Sequence, residues 1–252
     1  MPHHEQEDLW IRRYHAAQDS AVRLLCLPHA GGSASFYFPV SQALAPRIEV
    51  LAVQYPGRQD RHREPCVDSI PELADRLLPL VAGRWTDRPL ALFGHSMGAA
   101  LAFELAGLLE QRAGVVPAIL FASGRRAPSR WLTDDIYERS DEELLAKVRE
   151  LAGTDSRILG DDEVVRMVLP AIRSDYRAAS LYRPDRVHRV SCPVTALSGD
   201  DDPQAPLDDV KAWQDHTSGD FAMQVYPGGH FYLTEQAPEV IRHISEALSA
   251  VM

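Results

Sequence analysis

A serine flanked by glycines is the first place where this sequence could do chemistry. The segment Gly94-His95-Ser96-Met97-Gly98 follows a short apolar run and precedes a stretch rich in alanine and leucine. A strand, a tight turn and a helix in this order present a serine hydroxyl at a sheet edge, above a helix N-terminus. The pattern predicts that Ser96 is a nucleophile and that the Met97 amide donates to an oxyanion.

A serine hydroxyl is a weak nucleophile at neutral pH and needs a base within hydrogen-bond reach. His230 follows the last predicted strand in the segment 227–231, and it comes after Ser96 in the chain, as the base does behind such a turn. His95 lies inside the turn and His29 precedes the serine, so both fit this role less well. The sequence therefore predicts His230 as the general base.

The base needs an acid that fixes its tautomer and stabilises its cation. Asp200, Asp201 and Asp202 all follow one predicted strand, and like charges this close cannot all be buried. Asp202 fits best because Pro203 stiffens the turn behind it, and Asp200 is the alternative. The preceding strand, over 117–122, offers no carboxylate at its end, which strengthens the choice of Asp202.

A second glycine-rich loop could complete the site. The apolar run 22–27 ends in Pro28-His29-Ala30-Gly31-Gly32-Ser33. A glycine pair directly after a buried strand lets backbone amides face a ligand. We expect the Ala30 amide to be the second oxyanion donor, beside that of Met97.

The elements that must position these residues alternate between strand and helix. Such alternation indicates an α/β protein, with a mostly parallel sheet whose ligands bind at the carboxyl ends of the strands. Together with the serine turn it predicts an α/β-hydrolase fold. Strands are predicted over 9–14, 22–27, 48–53, 90–93, 117–122, 193–198 and 221–226, and helices over 35–45, 69–83, 99–114, 207–216 and from 238 onward.

The alternation stops between residues 125 and 188, where no strand pattern occurs. Helices are predicted from Ser140 to Gly153, from Asp161 onward and over 175–181, with Pro170 expected to bend or break the second. We interpret 125–188 as a helical lid, inserted into a core formed by 1–124 and 189–252.

Composition excludes several classes of partner. The 252 residues carry a formal net charge of −10, which argues against nucleic acids and anionic membranes. No apolar run approaches the roughly 20 residues of a membrane span, and residues 1–8 do not resemble a secretory signal. Three scattered cysteines indicate reduced thiols. We expect a monomeric, cytoplasmic protein.

Taken together, the segments 28–33, 54–58, 94–98 and 227–231 resemble those of the type II thioesterases over nearly the whole chain. The resemblance implies a catalytic set of Ser96, Asp202 and His230, with Ala30 and Met97 as oxyanion donors. It also implies hydrolysis of stalled or wrong acyl groups on the carrier proteins of polyketide synthases and nonribosomal peptide synthetases. No metal or bound cofactor is implied, since the phosphopantetheine arm belongs to the substrate.

Such carrier proteins are generally acidic, so docking on this acidic chain would need a local basic patch. Two loops predicted at the strand ends offer one. We hypothesise that they contact the substrate phosphate or the acidic face of the carrier. The candidate side chains are Arg58, Arg61 and Arg63 in the first loop, and Arg125 and Arg126, followed by Arg130, in the second.

Three other functions remain open from the sequence. The chain could be a chain-releasing thioesterase domain, although a start at Met1 without a carrier-domain motif upstream favours a separate enzyme. It could be a general acyl esterase, which would turn over simple oxygen esters rapidly. A non-enzymatic binding module fits poorly with a complete Ser, Asp and His set.

Overall fold

A mostly parallel sheet forms the centre of the protein. The computed structural model describes residues 9–132, 134–152, 162–184 and 189–251, and within them seven strands form one sheet in the order β1-β3-β2-β4-β5-β6-β7. Only β1 is antiparallel to its neighbour. The strands are β1 (Ile11–Arg12), β2 (Val22–Leu27), β3 (Ile48–Val53), β4 (Leu90–His95), β5 (Leu120–Ser123), β6 (Val194–Gly199) and β7 (Phe221–Tyr226).

Helices cover both faces of this sheet, as the continuous apolar strands require. One buried cluster joins the sheet to α2 and α3, and a second joins it to α1 and α8. No helix among the described residues has the length and apolar character of a membrane span. The helices are α1 (Phe38–Leu44), α2 (Ile70–Arg84), α3 (Met97–Leu108), α4 (Asp141–Ala152), α5 (Asp162–Leu181), α6 (Leu207–Lys211), α7 (Tyr232–Glu235) and α8 (Ala237–Ser249).

The predicted elements are confirmed, with changes at their ends. The first strand shrinks to two residues, and the fifth begins at Leu120. The helix predicted over 35–45 opens with a 3-10 turn, Ala34–Tyr37, and the one over 207–216 closes with another, Ala212–His216. Serines cap two of the helices: the Ser69 hydroxyl accepts from the Glu72 amide, and Ser140 and Glu143 form a reciprocal capping box.

The described part of the segment 125–188 contains helices and no strand, but its second long helix is longer than predicted. A break near Pro170 and a separate helix over 175–181 are wrong, because α5 runs unbroken from 162 to 181. Its buried face, with Ala171, Ile172, Asp175 and Ala178, outweighs the one backbone hydrogen bond that proline removes. The predicted start of this helix, at Asp161, lies outside the described residues.

Close backbone approach fixes how β2, β4 and α3 meet. A Cβ atom on Gly98 would overlap the carbonyl oxygen of Leu27, at the end of β2. A Cβ on Gly94 would overlap the backbone of Gly98 itself. Both glycines are therefore required for α3 to begin directly over the carboxyl edge of the sheet.

These contacts predict opposite effects for two glycine substitutions. Gly98→Ala should lower the free energy of unfolding by at least about 2 kcal/mol, since the obstructing atoms are backbone. Gly83→Ala is the matched control, because no atom lies within 4 Å of a Cβ there and alanine favours the helix by about 0.5–1 kcal/mol. Chemical denaturation of both variants tests this. Equal stability of the two would contradict the close approach.

Candidate active site

The turn between β4 and α3 holds Ser96 in a strained conformation. Its backbone angles are φ 55° and ψ −114°, a region that residues other than glycine rarely adopt. The Ser96 amide donates to the carbonyl of Ser123 at 2.8 Å, which ties the turn to β5. The serine lines a cavity together with His29, Ala30 and His230. This geometry matches the nucleophile turn that the sequence predicts.

His230 and Asp202 form a buried pair at the carboxyl ends of β7 and β6. Nδ1 of His230 lies 2.8 Å from Oδ2 of Asp202, and the two residues are 5% and 6% exposed. The carboxylate holds the ring through Nδ1, so Nε2 is the nitrogen left to take a proton. The structure thus brings together the predicted base and the preferred acid, while their catalytic roles remain predictions.

The alternative acid, Asp200, contacts the backbone of the histidine loop rather than the His230 ring. It is exposed, and its Oδ1 accepts from the Gly228 amide at 2.9 Å. In the same loop pair, the Asp201 amide donates to the Gly228 carbonyl at 3.0 Å. Asp200 therefore ties the two loops together, and Asp202 points to the histidine.

The structure places the two predicted oxyanion donors at the start of α3 and in the loop after β2. Met97 is the first residue of α3, so its amide has no acceptor within that helix. Ala30 lines the cavity, in a loop held at its start by a 3.1 Å hydrogen bond from the Tyr55 hydroxyl to the Pro28 carbonyl. The next residue, Gly31, adopts a φ of 76° and donates to Asp175 of α5 at 2.7 Å.

A hydrogen-bonded chain behind His230 was not predicted. Nδ1 of the buried His95 lies 2.9 Å from the Ser123 hydroxyl, which in turn lies 2.6 Å from the Tyr232 hydroxyl. The His95 and His230 ring centres are 5.0 Å apart. Burial, and to a smaller extent the nearby His230, lowers the pKa of His95 well below its usual range. The same two causes lower the pKa of His29. The His95 ring is therefore neutral and lies close to the His230 ring.

Residues of the predicted lid form part of the wall of the cavity beside Ser96. Its volume is about 340 Å³, and lid residues Trp131, Leu132, Tyr176 and Tyr182 contribute to its lining. Trp131 and Leu132 are 55% and 57% exposed, so an apolar surface reaches from the cavity to solvent. The site can therefore take an acyl chain of moderate size beside the serine.

The first loop of the predicted basic patch is corrected by the structure. Arg58 and Arg61 are buried, at 6% and 3% exposure, and cannot form a surface patch. Arg58 pairs with Asp175, and Arg61 pairs with Glu64. Unpaired charge is rarely buried, and Asp175 lies far from Arg58 in the sequence, so the burial of Arg58 could not be predicted. The partner of Arg61, in contrast, is only three residues away. Of that loop's three candidates, Arg63 alone is exposed.

The second loop lies at the cavity, but its arginines are partly engaged. The Arg125 guanidinium donates to the Ala179 carbonyl, and burial lowers its pKa to about 10. Arg126 pairs with Asp209 at 3.0 Å and donates to the Gln204 carbonyl. Arg130 also lines the cavity and is exposed. A role for Arg125 and Arg126 in substrate binding stays a prediction.

Residues 22–248 match the family model of the thioesterase domain. The chain belongs to the thioesterase family. It is 53% identical over 240 residues to the thioesterase PikA5 of Streptomyces venezuelae, covering 95% of this chain and 85% of that one. It is 39% identical over 238 residues to the phenyloxazoline synthase MbtB of Mycobacterium tuberculosis, of which it spans 16%.

A solved structure supports the same assignment. The type II thioesterase BorB from the borrelidin biosynthetic cluster superposes with a TM-score of 0.90 at 52% identity, covering 96% of this chain and 98% of that one. The α/β-hydrolase fold and the resemblance to type II thioesterases are thereby confirmed. The chain is a thioester hydrolase by family. Within the described ranges, no group of three His, Cys, Asp or Glu side chains is placed to hold a metal ion.

The loop geometry separates the two candidate acids. Asp202→Asn should lower kcat by about 10⁴-fold, because the amide no longer stabilises the imidazolium or fixes its tautomer. Asp200→Asn is the matched control and should keep most of the activity, since its amide oxygen can still accept from Gly228. Steady-state hydrolysis of one acyl thioester by both variants checks this. A larger loss in the Asp200 variant would reverse the assignment.

The buried, neutral His95 predicts a loss of stability in acid. The pKa of His95 is lower in the folded than in the unfolded chain. Its contribution to the free energy of unfolding is therefore present above about pH 6.5 and is lost as the pH falls below that value. Replacing it by Gln should flatten the decline in unfolding free energy between pH 6.5 and 5 by about 1 kcal/mol per pH unit. Replacing the exposed His62 by Gln should leave the slope unchanged. Equal slopes for both variants would refute the inference.

Proposed function

We propose that this protein is an editing thioesterase, which hydrolyses aberrant or stalled acyl groups from the phosphopantetheinyl carrier domains of a polyketide synthase or nonribosomal peptide synthetase. The observation that carries the proposal is the 2.8 Å contact between Asp202 and His230 beside a strained Ser96, under a lid-covered cavity. The similarity to BorB, which comes from the borrelidin biosynthetic cluster, supports the biosynthetic setting. We place the enzyme in the cytoplasm as a monomer.

The proposed reaction has two halves that use the same groups. His230 Nε2 takes the proton as the Ser96 oxygen attacks the thioester carbonyl, and Asp202 stabilises the resulting imidazolium. The carbon–sulfur bond then breaks, and the proton passes to the leaving thiol. His230 next activates a water molecule, which attacks the acyl–serine ester and releases the carboxylic acid with Ser96 restored.

The oxyanion formed in both halves accepts hydrogen bonds from the amides of Ala30 and Met97. In comparable sites, removal of one such donor costs about 3–4 kcal/mol of transition-state stabilisation. The macrodipole of α3, which begins at Met97, adds a favourable field at the same point. This chemistry requires neither a metal nor a bound cofactor.

The cavity sets the expected substrate class. A volume of about 340 Å³ fits a short acyl group more readily than a full-length polyketide or peptide. This favours removal of small, stalled groups over release of a finished chain. The exposed Trp131 and Leu132 at its rim would contact the phosphopantetheine arm, and Arg130 would lie near its phosphate.

The test presents one short acyl group in three forms: on a carrier protein, on coenzyme A and as a nitrophenyl ester. We expect the highest kcat/KM for the carrier form, because the arm and carrier supply binding energy that the simple ester lacks. Ser96→Ala should reduce every rate by at least about 10⁴-fold.

A carrier protein loaded with a full-length chain completes the comparison. Faster hydrolysis of that chain than of the short acyl group would replace editing by chain release. Faster hydrolysis of the nitrophenyl ester, with no gain from the carrier, would make the protein a general acyl esterase. Full activity of Ser96→Ala would overturn the serine mechanism in every form.

A further inference from the structure

A buried ion pair joins the lid to the loop that carries Ala30. Asp175 of α5 is fully buried, and its carboxylate contacts the Arg58 guanidinium, whose side chain is 5% exposed. Oδ2 of Asp175 also accepts from the Gly31 amide at 2.7 Å. Burying two charges is costly unless each is well partnered. Neither charge takes part in the proposed bond-making steps, so this pair needs a separate explanation.

The helix touches the same loop at a second point. A Cβ atom on Gly31 would lie 3.0 Å from Cγ1 of Ile172, so the glycine packs directly against α5. Ile172 and Asp175 are three positions apart and share one face of the helix. The loop is therefore held to α5 by an apolar contact and a charged hydrogen bond at one residue.

Arg58 links this contact to the other end of the loop. Its Nη1 donates to the Pro56 carbonyl at 2.5 Å, and its guanidinium lies 5.1 Å from the centre of the Tyr55 ring. The Tyr55 hydroxyl in turn donates to the Pro28 carbonyl at 3.1 Å. The anchored groups of Pro28 and Gly31 flank Ala30, so the position of its amide is set from both sides.

The charges of Asp175 and Arg58 also affect the electrostatics of the neighbouring oxyanion loop. A lone carboxylate beside the oxyanion loop would disfavour negative charge on the substrate oxygen, and the Arg58 guanidinium neutralises it. Burial raises the pKa of Asp175, whereas Arg58 and the Gly31 amide act against that rise. These contacts therefore favour an ionised carboxylate that accepts from Gly31 without opposing the oxyanion.

We propose that Asp175, held by Arg58, is a positioning residue that orients the Ala30 amide toward the oxyanion by holding Gly31. Asp175 does not touch the substrate in this proposal. Because it lies on α5, the second oxyanion donor is in place only while this lid helix is packed on the loop. The inference rests on the proposed serine mechanism and adds the group that makes the oxyanion site depend on the lid.

The main variant is Asp175→Ala, measured on any acyl substrate that the wild-type protein hydrolyses through Ser96. We expect kcat to fall by about 10- to 100-fold, less than for outright loss of an oxyanion donor, with KM changed by less than about twofold. Affinity for an alkyl boronic acid, which mimics the tetrahedral oxyanion, should fall by the same factor as kcat. Affinity for the carboxylic acid product should not change.

Asp175→Asn is the conservative variant. Its amide oxygen can still accept from Gly31, so kcat should return to within about fivefold of the wild-type value, although stability falls because Arg58 loses its partner. Recovery of kcat without recovery of stability distinguishes positioning from a general effect on folding.

Glu49→Gln is the matched control for removal of a buried charge. Glu49 is 1% exposed and pairs with Arg23 near the amino end of β3, away from the site. We expect it to lower the melting temperature while leaving kcat and boronic acid affinity unchanged.

The proposal is overturned if Asp175→Ala keeps the wild-type kcat and boronic acid affinity, or loses no more of either than Glu49→Gln. Where Asp175→Ala does not fold, Gly31→Ala replaces it, since a Cβ there pushes the loop away from Ile172 at a φ that disfavours alanine. Wild-type boronic acid affinity in that variant would equally overturn the proposal. These outcomes are independent of whether carrier proteins are the best substrates, so the editing function and the role of Asp175 can fail separately.

Discussion

Contact between two backbones at the carboxyl edge of the sheet is the constraint on which the candidate site depends. The start of α3 lies so close to the last carbonyl of β2 that Gly98 has no room for a side chain, and so close to β4 that Gly94 has none either. One consequence is the strained turn that lifts Ser96 out of the sheet. Another is that the residues after Leu27 begin beside the serine, which brings the Ala30 loop next to the Met97 amide without any long connection.

A second close approach positions the acid and base. β6 and β7 pair in parallel up to Gly199 and Tyr226, and a Cβ on Gly199 would overlap the carbonyl of Gly228. The two following loops therefore run side by side, cross-linked by Asp200. Asp202 is the third residue after Gly199, and His230 is the fourth after Tyr226, so the two paired loops, and not side-chain packing alone, fix their 2.8 Å contact.

Those parts of the structure that follow from local chemistry could be predicted from the sequence. Strands β2, β3 and β7 have the predicted bounds, because their residues are apolar or alternate and turn residues follow them. The serine turn and the histidine loop are short motifs whose geometry is set by their own glycines. The choice of Asp202 over Asp200 was possible because a proline follows only one of them.

Features that depend on partners far away in the chain could not be predicted. Nothing near Arg58 in sequence announces Asp175, and an arginine without a visible partner is best placed at the surface. The unbroken course of α5 through Pro170 has the same origin, because its buried face is defined by the loop and core against which it packs. The lid is thus the element for which tertiary contacts most clearly override local preference.

Because Arg58 and Arg61 are buried, other groups would have to bind an anionic substrate. Arg126 at the cavity is paired with Asp209, Lys147 with Glu150, and Arg125 donates to a backbone carbonyl. Ion-paired charges attract an incoming phosphate weakly, and a chain of net charge −10 would exert no long-range attraction on an acidic partner. Under the proposed function, affinity for a carrier-bound thioester would then come mainly from apolar burial of the arm and acyl group, for which the exposed Trp131 and Leu132 at the cavity rim are suited. The exposed Arg130 would add a contact to the phosphate. Charged side chains at the cavity mouth would orient the substrate. The lid supplies both the apolar rim and Asp175, so it would link substrate burial to the position of the Ala30 amide.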